Sequence, residues 1–176
     1  DYTLDREFLR QTALPFTREI LTFFEQHYPT NARGQLVMHP SQALETWWHC
    51  TNAMPELAGC IAVTERLLAP PMELAPASDR ELYQRLRAKL APIPLRDVNG
   101  RKALAPAEFF ANKSNIENPE LYAVFPFRLF AFNRPNADWA LAALEHRWDR
   151  GHSGWRQDDI FMAYLGLTDD TRKAIV

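Results

Sequence analysis

Apolar residues recur along most of this chain at the three- and four-residue spacing of a helix face. Phe16, Ile20, Phe23, Phe24 and His27 form one such stripe and predict a helix from about Thr17 to Tyr28. Pro15 removes a backbone donor and restricts the residue before it, so a separate short helix is expected over Asp5–Thr12. Pro55 opens another stripe, Leu57, Ile61, Leu67 and Leu68, which Pro70 and Pro71 close. Ser78, Asp79, Arg80 and Glu81 have the order of a capping box, with Leu82, Leu86 and Leu90 following at fourfold spacing.

The helical pattern lapses between Pro92 and Leu104. Alternation from Leu95 to Leu104 around Asn99-Gly100 predicts a small hairpin there. Helices then resume. Asn136 is placed to cap one that carries Ala140, Leu141, Leu144 and Trp148. The turn Gly151–Gly154 leads to another with Ile160, Phe161, Tyr164 and Leu165, which Gly166 ends before Thr168 starts a last one. The expected fold is therefore all-α, built of antiparallel helix pairs, with a hairpin or irregular insert near Leu95–Leu104 and function on the side of the long loops.

Composition narrows the partners. The 176 residues are 47% hydrophobic and 12% aromatic, enough for a sizeable core. A net charge of −2 and a pI near 6.2 provide no basic field for nucleic acid. No apolar run is long enough to cross a bilayer, and Asp1–Asp5 lacks the start of a signal peptide, so no membrane partner is expected. The first residue is not Met and the last ones lie inside a helical pattern, which suggests a segment of a longer protein whose other parts would be its partners. The spacing of His39, His49, Cys50 and Cys60 matches no tight metal-ligand pattern, and neither a metal nor another cofactor is expected.

No phosphate-binding Gly-rich loop, nucleophile elbow or His-Glu-x-x-His helix is present. What stands out is carboxylates beside aromatics: Glu45 before Trp47-Trp48, Glu108 before Phe109-Phe110, Glu117 and Glu120 before Tyr122, and Asp158-Asp159 after Trp155. Aromatic faces cover the C–H patches of sugar rings, and carboxylates and amides bind sugar hydroxyls. A carboxylic acid can also protonate a glycosidic oxygen. Each residue also has a structural role open to it: Glu45 to brace its Trp loop, Glu108 to solvate a turn, Glu117 and Glu120 to sit at a helix start, the tryptophans to fill the core, and Asp158 to cap a helix.

Several runs together resemble the catalytic domain of glycoside hydrolase family 95. They are Thr3-Leu-Asp-Arg-Glu-Phe-Leu-Arg10 through Phe23-Phe24, Gly34-Gln-Leu-Val-Met-His-Pro-Ser41 with Glu45, Ala105-Pro-Ala-Glu108-Phe109, Glu120-Leu-Tyr-Ala-Val-Phe-Pro126, and Gly154-Trp155. The similarity spans nearly the whole chain, and it implies that residues 1–176 form part of a six-hairpin α/α toroid. It implies inverting hydrolysis of an α-linked fucose-like or related sugar, with Glu108 as the general acid and a periplasmic or secreted setting, this chain holding only part of the site and the isolated segment being inactive. Glu45, Trp48, Asn115, Glu117, Glu120 and Trp155 would line the pocket for an oligosaccharide or glycoside. The family's His-x-His-x-x-His cluster is replaced here by Asn115, Glu117 and Glu120, which exchanges imidazole donors for an amide and two acceptors. Sugar binding or scaffolding without hydrolysis is the alternative. A polysaccharide lyase using Tyr122 and Arg128 comes last.

Overall fold

The structure, a computed structural model, describes residues 5–69 and 75–175. The helix stop expected at Pro70-Pro71, and Thr3 and Leu4 of the first motif, lie outside the described residues. In chain order the elements are α1 (Arg6–Phe8), a π turn (Leu9–Ala13), α2 (Leu14–His27), β1 (Ser41–Ala43), β2 (Trp47–Ala53), α3 (Met54–Leu68), α4 (Ala77–Lys89), β3 (Leu95–Val98), β4 (Arg101–Leu104), β5 (Ala107–Phe109), a 3-10 turn (Pro119–Ala123), α5 (Ala137–Glu145), α6 (Asp158–Tyr164) and α7 (Thr168–Ile175). The fold is mixed α/β, and the all-α toroid expected from the sequence is not what forms. Two antiparallel sheets overturn it, one of three strands in the order β1-β2-β5 and one of two strands, β3-β4.

The chain divides into two compact units, Asp1–Val37 with Val63–Ala91 and Met38–Ala62 with Pro92–Val176. In the first, α2 buries Leu14 and Leu21, and α4 buries Leu82, Tyr83 and Leu86. The stripe expected to face the core is instead exposed at Phe16, Ile20 and Phe23. Pro15 does not separate two helices. It occupies the first turn of α2, and the π turn before it carries the helical path through from α1. Ser78 makes no capping box either: α4 starts one residue earlier, at Ala77, with Pro76 in the cap position and no side-chain cap. Glu25 receives Lys89 at 3.1 Å and Arg85 at 3.3 Å. Burial pushes its carboxyl up, but the hydrogen bonds from Lys89 and Arg85 prevail and hold it below its ordinary value.

The second unit contains both sheets. Asn99 (φ 53°) and Gly100 (φ 76°) are both left-handed, as a two-residue hairpin turn requires, and they pair Leu95 with Leu104 and Val98 with Arg101. Leu104, Leu121, Val124, Ala140, Ala143 and Phe161 belong to its main core. A smaller core holds Ala43, Trp47, Cys50, Ala53 and Ala107 under the three-stranded sheet. Asn136 precedes α5 as expected, but in a left-handed conformation and without a side-chain cap, and Trp148 lies beyond the end of that helix. Gly166 (φ 78°) follows α6, and Leu167 N–H donates back to Met162 O at 2.9 Å.

Candidate functional site

β2 reads poorly as a strand because His49 (φ 55°) and Asn52 (φ 51°) are left-handed. These kinks spoil the two-residue alternation that marks a strand. Strand pairing sets Thr51 opposite Phe109 and Ala53 opposite Ala107. Glu108 therefore lies on a strand, beside Asn52, rather than on a turn after Pro106. Asn52 Nδ2 donates to Glu108 Oε2 at 2.6 Å. Among the described residues, no partner reaches Glu108 Oε1.

A second cluster forms where the segment before β2 meets residues about seventy positions later. Glu117 Oε2 accepts from Thr46 Oγ1 at 2.9 Å and from Glu45 N–H at 3.3 Å. Thr46 Oγ1 in return accepts from Glu117 N–H at 3.3 Å. Asn115 Nδ2 reaches Glu45 Oε2 at 3.5 Å, and the exposed Trp48 donates its indole N–H to Glu45 O at 3.0 Å. Trp47 to Lys113 bridges this segment to the strand pair. Four of the sequence-predicted residues, Glu45, Trp48, Asn115 and Glu117, thus share one partly exposed patch.

Two others do not join it. Trp155 is 70% exposed on the turn before α6 and makes no hydrogen bond or ring contact with these residues. Glu120 is wholly buried, so it does not face a ligand at the surface. Among the described residues, neither of its carboxyl oxygens has a hydrogen-bond partner. Burial pushes its carboxyl up to about 7, against the opposing pull of its own backbone N–H and of Arg96. Asp149 adds to the rise and Lys113 opposes it. Lys113 Nζ lies 2.7 Å from Asp149 and donates to Asn115 O at 2.6 Å, so one lysine ties the patch to the buried network. Arg96 stacks on Trp148 at 4.1 Å and donates to His146 O at 2.9 Å. Trp148 in turn packs edge-on against Trp47 and Phe110.

Asp158 is neither a free base nor a surface cap. It is buried against Arg147 in a two-point ion pair of 2.7 and 2.6 Å, and it also accepts from Gly151 N–H at 2.6 Å. Arg128 is held by Tyr164 at 2.7 Å, and burial pushes Tyr122 up, away from the ionised form a lyase base needs. Burial also pushes the Cys60 thiol up to about 12, so it behaves as a small apolar group. Among the described residues no three His, Cys, Asp or Glu side chains converge as a metal site would require.

Sequence reasoning missed Asn52, Arg96, Lys113 and Asp149. Asn52 alone carried a signal, because Asn adopts the left-handed backbone more readily than most residues. The other three depend on pairings distant in sequence. No protein-family model, curated protein or solved structure matches the chain.

Proposed function

We propose that this chain carries the sugar-binding and proton-donating part of a glycoside hydrolase acting on an α-linked fucose-like or related sugar, in an extracytoplasmic setting. One observation carries it: two carboxylates, an amide and an exposed indole from separate stretches of chain meet in one patch, and a third carboxyl, Glu108, stands on the same sheet with one oxygen anchored and the other unpartnered among the described residues. In this scheme Glu45, Asn115 and Glu117 bind hydroxyls and Trp48 covers the ring's apolar face. Glu108 protonates the glycosidic oxygen as its bond to C1 breaks, and water, losing a proton to a general base, adds to C1. The test is release of L-fucose or D-galactose from α-linked oligosaccharides, whose leaving sugar hydroxyl needs the proton, by the natural protein and by Glu108→Gln. A fall of at least a hundredfold in kcat is expected. Unchanged turnover removes Glu108 from the acid role.

A second reading, sugar binding without hydrolysis, is favoured by the partners of these carboxylates. Asp158 is taken up by Arg147 and Gly151 N–H and is not free to act as a general base, while Glu45 and Glu117 already serve as acceptors, the role sugar hydroxyls require. Calorimetric binding of L-fucose or D-galactose, with no reducing ends released from the matching oligosaccharides, selects this reading.

A further inference from the structure

Asn52 is 3% exposed, and its two links to Met38 settle the direction of its side-chain amide. Its backbone N–H donates to Met38 O at 3.0 Å, while Met38 N–H donates to Asn52 Oδ1 at 2.9 Å. Only the oxygen of an amide accepts from an N–H, so Nδ2 must face the other way. Glu108 Oε2 lies there, at 2.6 Å. The left-handed backbone at Asn52 (φ 51°) is one that Asn tolerates better than most side chains, so strand and amide are set by the same residue.

An amide N–H pairs only with an acceptor. Glu108 Oε2 is therefore committed as an acceptor, and a proton carried by Glu108 sits on Oε1, the oxygen without a partner among the described residues. We infer that Asn52 is the positioning residue of Glu108, directing its proton to Oε1 and orienting that oxygen outward. When the proton passes from Oε1 to a glycosidic oxygen, the charge left on the carboxylate meets an N–H already in place at Oε2, with no reorganisation needed. The catalytic consequence rests on the hydrolase reading above; the pairing of Asn52 with Glu108 does not.

The test has two arms, both on the natural protein. In the first, the side-chain amide resonances of Asn52 are followed by nuclear magnetic resonance from pH 3 to 8. They should shift across this range in the wild type and stay flat in Glu108→Gln. Flat resonances in the wild type overturn the inference whatever the kinetics show. A shift without turnover of any glycoside tested supports the pairing and fails the hydrolase reading.

In the second arm, Asn52→Asp keeps the acceptor for Met38 N–H but sets an oxygen against Glu108 Oε2. With an α-L-fucosyl oligosaccharide, whose leaving sugar hydroxyl needs the proton, kcat should fall at least tenfold while KM changes less than threefold. The high-pH limb of the profile should move upward, because two adjacent carboxyls hold a shared proton more tightly. The double variant Asn52→Asp, Glu108→Gln should be no slower than Glu108→Gln alone. Wild-type kcat and pH profile in a folded Asn52→Asp protein, or additive losses in the double variant, overturn the positioning role.

Discussion

Raising the pH should weaken the protein through one residue, Glu120. Its carboxyl is wholly buried, both oxygens lack hydrogen-bond partners among the described residues, and burial raises it to about 7 from 4.5, with Arg96 opposing. The sign follows from where the proton is held. Between 4.5 and about 7 the unfolded chain has released this proton while the folded chain still holds it, so stability falls as pH rises. The contribution is fully present below 4.5 and lost once pH passes about 7. At roughly 1.4 kcal/mol for each pKa unit, the whole loss is about 3 kcal/mol. Glu120→Gln keeps the shape and removes the titration. Urea unfolding followed by tryptophan fluorescence at pH 4.5, 6 and 7.5 gives the difference between variant and wild type, which cancels the other titrating groups. That difference should move by about 3 kcal/mol in the variant's favour across the series. A difference constant to within about 0.5 kcal/mol would refute the claim that Glu120 is held neutral by burial.

Three further expectations concern packing. Asp158→Ala leaves the buried Arg147 without its two-point partner and should cost about 3–5 kcal/mol in urea unfolding. Tyr83→Phe removes a buried hydroxyl that has no partner among the described residues, so stability should be unchanged or rise by about 1 kcal/mol, and a clear loss would mean the hydroxyl is bonded. Gly166→Ala puts a Cβ 2.7 Å from the Phe132 ring at φ 78°, and should lower the thermal midpoint by an amount equivalent to about 1–2 kcal/mol.

Much of the secondary structure was legible because its causes are local. The helix begun beside Pro55, the one ended by Gly166 and the Asn99-Gly100 hairpin each follow from residues within a turn or two of one another. The three-stranded sheet was not legible. β2 carries two left-handed residues that hide its alternation, and its partner β5 begins more than fifty positions later. The candidate site divides in the same way. Carboxylates beside aromatics could be seen along the chain, but which of them would meet could not.

Glu117 and Glu120 make that limit concrete. They stand three residues apart and look equivalent in sequence, yet one accepts hydrogen bonds in a partly exposed patch while the other is sealed in the core with no partner among the described residues. By itself the sequence determined where apolar periodicity, proline, glycine and the Asn-Gly pair must place helices and a turn. Tertiary structure decided which helix face was buried, paired β2 with β5 to bring Asn52 to Glu108, and separated Glu117 from Glu120. Periodicity and turn chemistry act over a few bonds, whereas burial and the hydrogen bonds of a carboxyl depend on segments that meet only when the chain has folded.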